Sequence, residues 1–203
     1  MYRTLEELVL ASSSPRRREL LSRMGIRFNV VPSNMEEEGI ISVKEQQPKI
    51  YVQRCARRKV EKVVEMVGAD KEIWFLGVDT IVVVDDVILG KPKNREQAEE
   101  FLKRLSGKWH QVISGYHLYH YPAGEKVSNK VESKVLIRKL SEAEVRAYIR
   151  TDEQYDKAGG YAVQGIGAGL ISEIQGSYTN VVGLPLAELL VELLRLKVIA
   201  PLE

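Results

Sequence analysis

The residues best suited to chemistry crowd the start of the chain, where Leu8 to Leu21 reads LVLASSSPRRRELL. A short apolar run of strand length leads into three serines. Pro15 then suits the first position of a helix, with Ser14 at the N-cap and Gly25 at the C′ position. Arg16, Arg17 and Arg18 stand at the positive end of that helix dipole, where acids are normally favoured. Backbone N–H groups, serine hydroxyls and arginines together describe an anion site, most naturally one for phosphates. A solvated basic turn is the plainer alternative. At about 100° per residue, Leu20, Leu21 and Met24 define the buried side. This sends Arg16 and Arg17 toward a ligand and Arg18 toward solvent.

Two lysines and a set of acids extend the constellation. Pro48 to Val67 has the pattern of a long amphipathic helix, with Val52, Cys55, Ala56, Val60, Val63, Met66 and Val67 on one face. Lys59 breaks that face, lying about 20° from Val52 on the wheel. Either it snorkels, or its ammonium reaches a ligand. If it reaches a ligand, Lys59→Met is expected to preserve or slightly raise thermal stability; if it snorkels, Lys59→Met and Lys62→Met should have equal, small effects. Ile73 to Val78 reads as a buried central strand ending in Asp79-Thr80. An acid at the end of a buried strand is costly unless it is paired or bound to metal. Ile81–Val84 and Val87–Leu89 flank Asp85-Asp86 like a hairpin, which would return Lys91 toward Asp79. Glu36, Glu37 and Glu38 lie in a polar loop from Ser33 to Gly39. A solvated surface is the plainer reading there, although the place after a strand end leaves one glutamate within reach of a site.

These residues suggest one chemistry. Cations neutralise a polyphosphate while carboxylates hold a divalent ion or activate water. Oxygen ligands favour Mg²⁺ over zinc. The reaction would be phosphoanhydride hydrolysis.

The positioning elements can be read in the same way. Arg95 to Leu105 is a further helix capped by Asn94. Trp109–Tyr121 and Lys126–Ile137 are two long strands, with His117 and His120 on opposite faces of the first and so unsuited to sharing a metal. Ser141 and Glu144 form a capping box for a helix to about Arg150. A glycine-rich stretch, Tyr155 to Pro185, lets backbone approach a ligand, but it has neither the Rossmann spacing nor a Walker A motif. A terminal helix runs from Leu186 to Leu196.

With 203 residues, 44% hydrophobic and 29% charged, the chain suits one globular unit with a real core. A formal charge of +2 gives no push toward nucleic acid or a membrane surface. The single cysteine, Cys55, excludes an internal disulfide framework and reads as a core thiol. No stretch reads as a signal peptide or a membrane span, so the cytoplasm is the expected location.

Six segments, in order along nearly the whole chain, resemble the Maf family of nucleoside triphosphate pyrophosphatases. They are ASSSPRRRELL from Ala11, GVDT from Gly77, GKP from Gly90, LSG from Leu105, YDKAGGYAVQG from Tyr155 and GSYTNVVGLP from Gly176. The resemblance implies an α/β fold like that of inosine triphosphate pyrophosphatases, in a single domain over residues 1–203. That fold has an elongated mixed β-sheet, flanking helices and two lobes around a cleft. It also implies cleavage between the α and β phosphates with Mg²⁺ or another divalent cation such as Mn²⁺, and a homodimer. By position, Ser12, Arg16, Arg17, Lys59 and Lys91 would bind phosphates. Asp79 would activate water and, with Glu37, hold the metal. Thr80 and Gln164 would contact the substrate, Gln164 from the base- or substrate-recognition segment. Asp79-Thr80 and YDKAGGYAVQG resemble the branch acting on dTTP and UTP, whereas the 7-methyl-GTP branch typically carries glutamine after the aspartate. Val78 departs from the usual alanine, and Glu36-Glu37 from a common aspartate–glutamate pair.

Two other readings compete. Family members also resemble septum-formation inhibitors, a role that protein binding alone could serve; Asp79 among inward-facing cations favours catalysis. Nucleic-acid binding through the arginines lacks an extended basic stripe.

Overall fold

A twelve-residue strand, Ile73–Val84, runs through the middle of the molecule and carries Asp79 and Thr80 at its centre. The computed structural model describes residues 1–35, 40–42 (backbone only), 47–67 and 72–202. In chain order the strands are β1 (Tyr2–Thr4), β2 (Leu8–Leu10), β3 (Asn29–Val30), β4 (Ile40–Ser42), β5 (Ile73–Val84), β6 (Val87–Leu89), β7 (Trp109–Tyr121), β8 (Lys126–Ile137), β9 (Ile171–Gln175) and β10 (Ile199–Pro201). The helices are α1 (Pro15–Arg23), α2 (Pro48–Val67), α3 (Arg95–Leu105), α4 (Glu142–Ile149), α5 (Tyr178–Val182) and α6 (Leu186–Arg195). Two 3₁₀ turns, Ala158–Gly160 and Gly165–Leu170, occupy the glycine-rich stretch.

The main sheet is mixed, in the order β3-β2-β5-β7-β8-β9, with β6 joining β5 and β4 joining β6. β2 lies parallel to β5 opposite Trp74–Leu76, while β6 lies antiparallel opposite Val82–Val84. β7 covers the other edge without a break from Ile73 to Val83. Between β2 and β6, the edge of β5 from Gly77 to Ile81 therefore lacks a strand partner among the described residues. This corrects one expectation. Asp79 does not end a strand; it sits in mid-strand opposite Gly115, beside a gap in the ladder. The hydrophobic run only looked finished because a charged residue interrupts it.

Apolar side chains gather into two principal cores, one on each side of that gap. The first joins Leu10, Leu21, Trp74, Leu76, Leu189 and Leu193; the second joins Val82, Leu89, Phe101, Leu105, Val135 and Tyr148. These are the two lobes, and β5 belongs to both. Helix α2 crosses β5 and β7, packing Val60 and Val63 on Phe75 at one end and Val52 on Ile81 at the other. The helix can sit this low because Gly77 lies beneath it: a Cβ there would come within 2.2 Å of the Ala56 carbonyl oxygen. Alternation along β5 then turns Asp79 toward α2 and Thr80 to the opposite face.

The other elements follow the sequence closely. Asn94 caps α3 by accepting from the Gln97 N–H at 2.8 Å, and Ser141 with Glu144 forms the expected capping box. His120 stacks on Trp74, while His117 bonds Ser128 at 2.6 Å on the other face. Ser14 takes the extended backbone of an N-cap, but its hydroxyl makes no capping bond.

Candidate active site

Strand β2 ends at Leu10, and Ala11 still donates its N–H to the Leu76 carbonyl at 2.8 Å. The chain then turns away and the serines open into a cavity of about 580 Å³ between the lobes. A ligand crevice beyond the carboxyl end of a parallel strand is where an open α/β sheet is expected to offer one. The wall holds Arg16, Arg17, Lys59, Lys91 and Lys157 against Asp79, Glu153 and Asp156, a positive excess suited to a polyphosphate.

Arg17 lies on the buried side of α1, as the wheel requires, and its residue is only 8% exposed. Its Nε donates to the Gly183 carbonyl at 2.8 Å. Nη1 donates to Ser12 Oγ and to the Val78 carbonyl, both at 2.9 Å, and Nη2 donates to Thr80 Oγ1 at 3.2 Å. The Val78 carbonyl is one that the ladder gap leaves without a strand donor. Arg17 thus fastens α1, β5 and the segment after α5 together at the cavity wall. Arg16, one residue earlier and 100° around the helix, is more open. It crosses the cleft to Asp156, with Nη1 on Oδ2 at 2.8 Å and Nη2 on the backbone carbonyl at 3.1 Å. Arg18 is exposed, as expected.

On the α2 face, Lys59 Nζ lies 2.5 Å from Asp79 Oδ1 and 3.4 Å from the Val78 carbonyl. Both residues are almost fully buried, so neither reading made of Lys59 from the sequence is complete: it does not snorkel, and it is paired with an acid of the protein itself. Cys55, one turn earlier on α2, is a half-buried thiol packed against the edge of a core, pushed up to about 11 by burial first and then by the nearby Asp79 carboxylate. A thiol so disfavoured as thiolate is no nucleophile.

The opposite face of β5 is polar as well. Thr80 Oγ1 and Ser114 Oγ are 2.9 Å apart, Ser114 donates to the Asn180 carbonyl, and Asn180 Nδ2 donates to Ser133 Oγ. This network ties α5 to β5, β7 and β8 behind the site. Lys91 and Gln164 both line the cavity, Lys91 just after β6 and Gln164 just before the second 3₁₀ turn. Ser12 is buried, and its hydroxyl also accepts from the Ser14 N–H at 3.3 Å. Glu37 lies outside the described residues.

Asp156, Lys157 and Tyr161 belong to the YDKAGGYAVQG segment without a role assigned from the sequence, and Glu153 lies just before it; all four line the cavity. The signal was available: acids and a lysine immediately beside glycines that bring backbone to a ligand. Burial pushes the Asp156 carboxyl up, but the Lys157 and Arg16 cations outweigh it and hold the carboxyl below its ordinary range.

No described helix is long and apolar enough to cross a membrane. Residues 7–196 match the family described as Maf-like protein. The chain is 48% identical to the dTTP/UTP pyrophosphatase of Syntrophotalea carbinolica, over 93% of this chain and 84% of that one. It is 46% identical to that of Syntrophus aciditrophicus, over 90% and 86%, and 42% identical to that of Clostridioides difficile, over 90% and 91%. Among solved structures it is similar to the Staphylococcus aureus Ham1 protein, with a TM-score of 0.39 and 16% identity over 82% of this chain and 80% of that one. The serine–arginine start of α1, the GVDT centre of β5 and the glycine-rich cleft wall all fall within the matched span, and the chain belongs to the Maf family.

Proposed function

We propose that this chain hydrolyses nucleoside triphosphates, dTTP and UTP foremost, between the α and β phosphates to give the monophosphate and pyrophosphate. The observation that carries the reading is the meeting of Arg17, Lys59 and Asp79 at the unpaired edge of β5, inside a cationic cavity. The names of the matched relatives supply the substrates.

In this reading Arg16, Lys91 and the serine hydroxyls at the start of α1 receive the triphosphate. Arg17 holds the wall behind them rigid, because a fork bonded to four acceptors has little freedom left. Asp79 takes the proton of the attacking water. A phosphorus–oxygen bond forms to that water as the α–β bridging bond breaks, and the electron pair leaves with pyrophosphate. Lys59, beside Asp79, orients the carboxylate and is placed to meet charge on the phosphates. Thr80, where the 7-methyl-GTP branch carries glutamine, and Gln164 face the nucleoside.

The donor chemistry suits Mg²⁺ or Mn²⁺. Asp79 offers oxygen, Glu37 from outside the described residues would offer more, and among the described residues no three His, Cys, Asp or Glu side chains cluster as a cage. Mg²⁺ commonly binds through one or two carboxylates and the substrate's own phosphates. When bound, it would neutralise phosphate charge. By resemblance the reading extends to a cytoplasmic homodimer, and sedimentation velocity tests the assembly.

The test is a nucleotide panel with product analysis. Direct appearance of monophosphate and pyrophosphate supports the reading, whereas stepwise release of orthophosphate through a diphosphate overturns it. In the same assay Asp79→Asn should lose on the order of 10³-fold or more in kcat. A folded Asp79→Asn enzyme with a near-normal rate would make that acid structural. Preference for 7-methyl-GTP would overturn the substrate and leave the reaction class.

A further inference from the structure

In the cavity wall that carries Gln164, the carboxylate of Glu153 organises a whole turn. Glu153 Oε1 accepts from the Ile166 N–H at 3.1 Å, and Oε2 accepts from the Gly167 N–H at 2.8 Å. The Tyr148 hydroxyl donates to Oε2 at 2.9 Å and accepts from the Ala162 N–H at 3.1 Å. Tyr148 is itself buried in the second lobe core, so the carboxylate is anchored to α4. The turn is shaped around it: Gly165 has φ +67°, and a Cβ there would come within 2.2 Å of Glu153 Oε1. Backbone N–H groups at 162, 166 and 167 are thus gripped on both sides of Gln164, a cavity-lining residue with an amide side chain.

Fixing that side chain has a chemical consequence. A primary amide carries a donor and an acceptor, and by rotating it can match either uracil and thymine or cytosine. It discriminates only when its place and orientation are held. We propose that Glu153, braced by Tyr148, is a specificity-positioning residue that holds the 162–167 turn and so fixes Gln164 against the base. This rests on the pyrimidine triphosphate reading above. Glu153 touches no reacting atom in this account, so its loss should fall on KM and discrimination, with kcat spared.

The experiment compares full-length wild type, Glu153→Gln, Glu153→Ala and Tyr148→Phe, with the exposed Glu142→Gln as control. Steady-state kinetics on dTTP and dCTP are paired with amide proton shifts of Ile166 and Gly167. Loss of charge-assisted bonds should raise KM for dTTP roughly tenfold in Glu153→Ala and cut the dTTP-to-dCTP ratio of kcat/KM by a similar factor. Glu153→Gln and Tyr148→Phe should fall between Glu153→Ala and wild type, and kcat should stay within about twofold. At least one of the two amide protons should move upfield in Glu153→Gln, a readout that holds even if Glu153→Ala fails to fold. Unchanged amide shifts, unchanged discrimination, or a fall in kcat at constant KM would each overturn the proposal. If wild type turns over no pyrimidine triphosphate, the functional reading fails, and the amide shifts alone decide whether Glu153 holds the turn.

Discussion

Lys59 Nζ and Asp79 Oδ1 are 2.5 Å apart, with the two side chains 9% and 8% exposed. A buried pair of this kind is expensive to break, because removing one partner strands the other charge. Lys59→Met is therefore expected to destabilise the fold by about 3–5 kcal/mol, a fall in Tm of roughly 6–20 °C. This reverses the expectation from helical periodicity alone, on which methionine suits the apolar face. The double variant Lys59→Met/Asp79→Asn should regain more than half of the lost stability, since no uncompensated charge remains. Lys62→Met, on the exposed side of α2, should stay within about 0.5 kcal/mol of wild type. A benign Lys59→Met, or a double variant no better than the single, would mean that the pair carries little of this stability.

That reversal marks where sequence reading ends. The periodicity of Pro48–Val67 and the alternation of Lys126–Ile137 are local, and both elements stand where they were expected. The direction of Arg17 followed from helical geometry, but its four acceptors did not, because they come from three separate segments, the turn after β2, β5 and the turn after α5. Asp79 was singled out correctly as costly, while its partner was unreadable: only the long-range packing of α2 across β5, close because Gly77 lies beneath it, brings Lys59 to it. β1 and β10 escaped notice for the same reason, as three-residue strands from opposite ends of the chain that pair with each other. The substrate came from motif resemblance, not from any of these patterns.

The two arginines of α1 should respond differently to the same conservative change. Lysine cannot reproduce the fork by which Arg17 holds Gly183, Ser12, Val78 and Thr80. Arg17→Lys leaves buried acceptors unsatisfied at about 1–3 kcal/mol each, so a Tm loss of at least roughly 4 °C is expected, together with reduced kcat/KM. Arg16 is in an accessible pair with Asp156, a class worth about 0–1 kcal/mol. Arg16→Lys should therefore change KM while leaving Tm nearly unmoved. Thermal melts and kinetics on both variants check this, and equal Tm losses would remove the distinction between a wall clamp and a ligand.

Gly77 sets the height of α2 above the sheet, and with it the reach of Lys59. A methyl group there meets the Ala56 carbonyl, backbone rather than a flexible side chain. Gly77→Ala should cost about 1–3 kcal/mol by overpacking and lower kcat/KM as Lys59 is lifted from Asp79. A variant with wild-type Tm and rate would show that α2 can shift without consequence for the site.

The last prediction concerns acid. His110, on β7, is 3% exposed and bonds the Tyr161 hydroxyl at 2.7 Å behind the cavity wall. Burial pushes its imidazole down from 6.5 to about 4. Between those values the unfolded chain binds a proton that the folded chain refuses, so stability rises with pH across the window and falls as the solution is acidified from about 6.5 toward 4. Below 4 both states are protonated and this contribution no longer changes. Linkage puts the loss between pH 7 and pH 5 at about 2 kcal/mol, or roughly 4–8 °C in Tm. His110→Gln can still bond Tyr161 but does not titrate. Its melting temperature should start lower at pH 7 and fall less steeply, because every other titrating group is common to both proteins. Parallel Tm profiles for wild type and His110→Gln from pH 7 to pH 5 would show that His110 does not set the acid sensitivity of this fold.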